Sequence, residues 1–253
     1  MIQLKNAQEL AKMRRACQIS AEALKLGDRS IEAGMTTADL DKIIYDYIKR
    51  HGARPNFKGL YGFPGTACIS INDEVIHGLP SHSRQIRPGD IVSIDTGAAI
   101  NGFNGDNACT FPCGKVDIEA QRLMDVTKES LHRGIAAAVA GNRVGDIGHA
   151  VQSYVEENGF SVVRSFVGHG VGKELHEDPE VPNYGHAGHG VRLVNGMTIA
   201  IEPMVNQKHH SVKTLSDGWT VVTADGGLAA HFEHSIAILP GGPEILTIGW
   251  EEP

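Results

Sequence analysis

Ala33-Gly34-Met35-Thr36-Thr37-Ala38-Asp39-Leu40 runs on through Tyr47 to Gly52, and its landmarks return later as Ala140-Gly141, Asp146, Tyr154 and Gly159. The separation is constant at 107 positions, 140 less 33 at one end and 159 less 52 at the other. Gly89 and Asp95 are echoed by Gly196 and Glu202 at the same separation. An offset that holds without slippage from Ala33 to Asp95 marks a duplication. Two copies are too few for a solenoid. The expected fold is α+β, with two halves of about residues 1–115 and 116–253 paired about a pseudo-twofold axis in a single domain.

Each half begins with helical patterns. Upstream of the quoted stretch, Leu10, Met13, Cys17, Ala21 and Leu24 recur at helical spacing. Thr36-Thr37-Ala38-Asp39 has the form of a capping box, in which a hydroxyl and a carboxylate satisfy the first free N–H groups of a helix. Leu40, Ile43, Ile44, Tyr47 and Ile48 then point inward. The second half matches with Leu123, Val126, Leu131 and Ile135, then Ile147, Val151, Tyr154 and Val155. Strands are expected over 69–76, 91–99, 197–205 and 235–239, where apolar residues run together.

Five residues in or beside apolar runs do not suit a core: Asp95, Asp106, His169, Glu202 and Glu233. Burying an unpaired carboxylate is costly, so several together imply a neutralising cation. Four carboxylates and an imidazole can hold two divalent ions about 3.5–4 Å apart, as in two-metal hydrolases. Between the first two, Asn101-Gly102 is a strong hairpin signal. With that pair as the turn, Asp106 faces Gly97, and strand alternation puts residues 95 and 97 on one face. The two carboxylates become diagonal neighbours, about 7–8 Å apart between backbones. His169 lies in Gly168-His169-Gly170-Val171-Gly172, whose glycines let a backbone approach an ion or substrate. That string is not GxGxxG, and Glu233-His234 lacks the HExxH spacing.

Composition narrows the class. Hydrophobic residues make up 41% and charged residues 21% of the 253 positions, the balance of a globular protein with a sizeable core. A net charge of −7 argues against a broad nucleic-acid surface. No apolar run approaches membrane-spanning length, and the first residues lack a signal-peptide layout. Cys17, Cys68, Cys109 and Cys113 form no CxxC pair. A cytoplasmic enzyme is expected.

The runs Cys68-Ile69-Ser70-Ile71-Asn72 to His77-Gly78, Ile94-Asp95, Gly105-Asp106, Gly168-His169-Gly170-Val171-Gly172, His176-Glu177, Ile201-Glu202-Pro203-Met204 and Glu233-His234 resemble the type I methionine aminopeptidases. The resemblance extends from about Ala7 to Leu239. It implies a "pita-bread" fold, with a central antiparallel sheet covered by helices. It also implies metal ligands at the same five positions, and substrate-handling histidines at His77 and His176. Only 31 positions (233 less 202) separate Glu202 from Glu233, too few for the helical insert of type II enzymes. With no Cys-rich amino-terminal extension either, the sequence resembles the minimal bacterial form. It departs from the family at Asn104, commonly histidine, and at His231, commonly glutamine.

The activity so implied is removal of the initiator methionine from nascent chains near the ribosome exit, with a small second residue preferred. Asp106 and Glu233 would bridge two ions (Co, Mn, Fe or Zn), Asp95 completing one site and His169 with Glu202 the other. Glu202 would also carry the proton from water to the leaving amine. By the same resemblance, Leu60, Phe63, Cys68, Leu175 and Trp219 would line the methionine slot. The expected partners are polypeptide N-termini, with neither membrane nor specific nucleic acid, met by a monomer. X-Pro peptidases share the fold and metals, but that resemblance implies a large extra amino-terminal domain. A binding module with a dead site would lose ligands, and this sequence keeps all five.

Overall fold

The computed structural model describes residues 2–249. The first half comprises α1 (Ala7–Ser30), α2 (Thr37–Arg50), β1 (Arg54–Pro55), β2 (Ala67–Ile71), β3 (Glu74–Ile76), β4 (Ile91–Ile100) and β5 (Phe103–Pro112). The second opens with α3 (Ile118–Ala137) and α4 (Val144–Glu157), then β6 (Ser161–Val162), β7 (Gly168–Gly170), β8 (Glu177–Val181) and β9 (Thr198–Ile201). It continues with β10 (Met204–Asn206), β11 (Val212–Thr214), β12 (Val221–Thr223), β13 (Ala229–His231), β14 (Glu233–Leu239) and β15 (Gly242–Ile245).

The helix starts follow the sequence. The Thr36 hydroxyl accepts from the Asp39 N–H at 3.2 Å, and the Asp39 carboxylate accepts from the Thr36 N–H at 3.2 Å, closing the capping box. At the equivalent place in the second half Arg143 has no hydroxyl. There the Asp146 carboxylate still accepts the Arg143 N–H, at 2.7 Å.

A nine-stranded sheet has the order β1–β4–β5–β14–β9–β7–β8, with β2 also on β4 and β15 on β14. Its middle seam is β5 against β14, where Glu233 faces Ala108 and His234 faces Asn107. Outward from that seam β4 occupies on one side the place that β9 has on the other. Helix packing repeats too. A Cβ on Gly27 of α1 would lie 3.1 Å from Ile94, and one on Gly134 of α3 would lie 3.4 Å from Ile201. Both partners are displaced by 107 (134 less 27, 201 less 94), so the duplication extends to the contacts. One hydrophobic cluster contains Leu24, Ile44, Ile69 and Ile94 together with Leu131, Ile147, Ile199 and Ile201.

Two expected strands are each broken in two. Residues 69–76 turn at Asn72, which takes the left-handed conformation (φ 57°) that asparagine tolerates. Residues 197–205 divide at Glu202-Pro203, because proline lacks the N–H that would continue the ladder. Here the chain leaves the large sheet, and β10 pairs instead with β13 and β6. The segment paired with it makes the same step at Phe232, between β13 and β14. The hairpin forms as read: Asn101 (φ 56°) and Gly102 (φ 77°) make the turn, and Gly97 faces Asp106.

Candidate active site

Ile94 and Gly105 face the helices; a Cβ on Gly105 would lie 2.5 Å from the Cys17 backbone. Alternation therefore turns Asp95 and Asp106 to the opposite face of the sheet, two register steps apart. Glu202 and Glu233 join them from the two sheet-to-sheet breaks, and His169 from β7. The Ser235 hydroxyl donates to the Asp106 carbonyl at 2.7 Å, and the Asn183 amide donates to the Glu202 carbonyl at 2.9 Å. Backbone positions in the cluster are thus fixed from neighbouring elements.

His169 Nδ1 lies 2.8 Å from the Gly170 carbonyl, which makes it the donor and leaves Nε2 with a lone pair. That Nε2 stands 3.5 Å from Glu202 Oε1 and 3.8 Å from Asp106 Oδ2. Among the described residues, Asp106, His169 and Glu233 present ligand atoms all within 4.8 Å of one another. Buried oxygens of Asp95 (Oδ1), Asp106 (Oδ1) and Glu233 (Oε1) meet no hydrogen-bond donor of the chain. Burial pushes Asp95, Glu202 and Glu233 well above the usual carboxylate range, and repulsion from Asp106 adds to it. Asp106 itself is pushed up to about 7 by burial. Orphaned oxygens crowded with like charge around one imidazole lone pair fit a divalent cation, whose charge would cancel the repulsion. An oxygen-rich donor set with one nitrogen suits Mn, Fe or Co at least as well as Zn.

The cluster forms the floor of a cavity of about 720 Å³. His77 and His176 stand on its walls, the former with φ 58°. Burial lowers the His77 pKa to about 4, with nearby His176 adding to it, and lowers that of His176 as well. Both are neutral near pH 7. The rings of His169 and His176 meet edge to face at 4.5 Å. A side lobe is apolar: Phe57, Phe63, Cys68 and Leu175 are buried together, with Leu60, Leu79 and Trp219 packed on them. All five residues expected to line the methionine slot therefore lie in one cluster.

Phe57, Tyr61 and Phe166 also line the cavity and were absent from the sequence reading. Phe57 carried a signal, since 57, 60 and 63 are evenly spaced apolar positions; Phe166 comes near only through the fold. Lys5 was also missed. It forms a buried ion pair with Glu177, tying the amino-terminal segment to the residue after His176. The two departures have separate settings. Asn104 donates to the Gly172 and Lys173 carbonyls at 3.0 and 2.9 Å, bracing the segment between His169 and His176. His231 is buried with Nε2 3.8 Å from Glu202 Oε2, and burial lowers its pKa to about 3.

Residues 11–240 match the metallopeptidase family M24. The methionine aminopeptidase of Clostridium perfringens is 55% identical over 248 residues, which span 98% of this chain and 99% of the relative. Methionine aminopeptidase 1 of Bacillus subtilis is 50% identical over 247 residues, with 98% and 99% covered. The crystal structure of methionine aminopeptidase from Thermotoga maritima superposes with a TM-score of 0.96 at 45% identity, covering 98% of this chain and 99% of that one. A prolidase from Pyrococcus furiosus shares the fold at a TM-score of 0.79 and 23% identity, with 65% of its own length covered. The chain belongs to metallopeptidase family M24, among its methionine aminopeptidases.

Proposed function

We infer that this chain hydrolyses the first peptide bond of polypeptides that begin with methionine, using two divalent cations and preferring a small second residue. The observation that carries the reading is the juxtaposition of the carboxylate–imidazole cluster with the apolar lobe in one cavity. Asp95, Asp106, His169, Glu202 and Glu233 would hold the cations between them. Bound cations of this kind polarise a carbonyl and acidify water toward a pKa of about 7.

The remaining chemistry is assigned to the chain's own side chains. The apolar lobe, with Leu60, Phe63, Cys68, Leu175 and Trp219, takes the methionine side chain. Glu202 accepts a proton as water adds to the scissile carbonyl carbon, and returns it to the nitrogen as the C–N bond breaks. Neutral His176 donates to the carbonyl oxygen, and His77 holds the departing amide. Their lowered pKa values support this, since a neutral ring keeps one donor and one acceptor at pH 7. His77 also crowds the space beyond the scissile bond, which favours alanine, glycine or serine as second residue.

The substrates would be nascent polypeptides near the ribosome exit, met by a cytoplasmic monomer acting as one catalytic domain. In keeping with that, no helix among the described residues is long and apolar enough to cross a membrane. Metal-reconstituted protein assayed on Met-Ala and X-Pro peptides tests the reading. Release of methionine from Met-Ala with no X-Pro cleavage is expected; the reverse preference would overturn it.

A further inference from the structure

Tyr61 occupies a position that packing does not explain. It is 79% exposed, so its ring buries almost nothing. Its backbone is nevertheless left-handed, at φ 51° and ψ 16°, a conformation that residues with side chains seldom hold. Such outliers persist where the surroundings over-determine them, and they concentrate at ligand sites. The surroundings do so here. Gly59 (φ 87°) and Gly62 (φ 91°) flank the residue. The loop is closed by Gly59 N–H to Phe63 O at 2.8 Å, Phe63 N–H to Leu60 O at 2.9 Å and Gly62 N–H to Gly59 O at 3.2 Å.

The consequence is a divergence of two adjacent side chains. Leu60 packs on the apolar lobe with Phe57 and Phe63. Tyr61 stands instead among the cavity's lining residues, its ring parallel to that of His176 within 7° and with centroids 6.3 Å apart. With methionine in the lobe and its carbonyl at His176, the rest of the substrate runs on toward solvent, and Tyr61 is both exposed and among the cavity's lining residues. A rigid aromatic ring there offers a face on which a peptide plane or an apolar side chain can stack.

We propose that Tyr61 forms a subsite for the polypeptide beyond its second residue, favouring an apolar or aromatic third residue. The inference rests on the function proposed above and adds a preference in substrate length and sequence. The test compares Met-Ala-amide with Met-Ala-Phe-amide on the metal-loaded full chain and on Tyr61→Ala and Tyr61→Phe. Tyr61→Ala should raise KM for Met-Ala-Phe-amide about three- to tenfold, with kcat little changed. KM for Met-Ala-amide should stay within about twofold in every variant, and Tyr61→Phe, which keeps the ring, should match the parent. Equal losses on both substrates would overturn the subsite, since the effect would then run through His176 or the fold. No change on either would overturn it too. Failure of the unmodified chain to cleave Met-Ala-amide would instead overturn the proposed function, and this inference with it.

Discussion

Cys68 and Asp95 are register partners across β2 and β4, so a single cross-strand pair joins the apolar lobe to the carboxylate cluster. Burial pushes the Cys68 thiol well above its usual range, and the Asp95 and Asp106 carboxylates push it further. The thiol is therefore neutral and serves as apolar wall. Because the pair sits on a continuous ladder, the distance from slot to cluster is set by strand geometry.

Removing the cations should destabilise the chain in a pH-dependent way. Asp106 is raised to about 7, and Asp95, Glu202 and Glu233 are raised well above their usual range, by burial first. A carboxyl raised in the folded state stabilises it below its unfolded value, and that contribution is lost as pH climbs through the raised value. His77 and His169, lowered to about 4, act in the opposite sense, but their contribution is complete above about pH 6.5. As pH climbs through about 7, the Tm of chelated protein should fall while that of reloaded protein stays nearly level. Melts at stepped pH check this, and a gap that narrowed over the range would dissociate the cations from these carboxylates.

Glu202→Gln should separate chemistry from binding. The amide keeps the shape of the side chain but cannot accept the water proton. kcat should drop by about 10²- to 10⁴-fold with little change in KM. His77→Ala and His176→Ala should also lower kcat while leaving bound metal, measured by elemental analysis, unchanged. If Glu202→Gln kept most of its turnover, the proton acceptor would have to be sought elsewhere.

The duplication was legible because landmark residues recur at one constant offset, and the hairpin because the parity of a two-residue turn fixes which face Asp95 and Asp106 share. The breaks at Asn72 and Pro203 were not read. Both interrupt apolar runs whose composition still favours strand, and only the three-dimensional pairing shows that β9 and β10 serve different sheets. Tyr61, Phe166 and the Lys5–Glu177 pair escaped for a different reason. Their partners lie far away in sequence, so no periodicity or spacing links them.

Gly105→Ala tests how tightly α1 governs the cluster. The added methyl would come within 2.5 Å of the Cys17 backbone, and a helix backbone cannot yield as a side-chain tip can. Overpacking of this kind costs about 1–3 kcal/mol, and each kcal/mol lowers Tm by roughly 2–4 °C in a chain of this size. Since Asp106 is the next residue, metal affinity should weaken together with Tm. An unchanged melting curve for Gly105→Ala would show that α1 sits further from β5 than described.

Trp219→Ala tests the slot. Trp219 meets Phe63 edge to face, with ring centroids 5.2 Å apart, and packs on the apolar cluster to which Phe63, Cys68 and Leu175 belong. A thioether gains about 0.3–1.5 kcal/mol from aromatic edges, a contact that a leucine of similar size does not make. Losing the indole should therefore cut the preference for Met-Ala over Leu-Ala by about two- to tenfold. It also widens the slot, so the branched side chain of leucine should be admitted more easily and the two effects add. Trp219 is not among the proposed ligands, so metal content should not change. Competition between Met-Ala and Leu-Ala gives the ratio of kcat/KM values directly. An unaltered ratio would place methionine recognition on the remaining wall of Leu60, Phe63, Cys68 and Leu175, and equal cleavage of Met-Ala, Leu-Ala and Lys-Ala by the unmodified chain would remove the slot altogether.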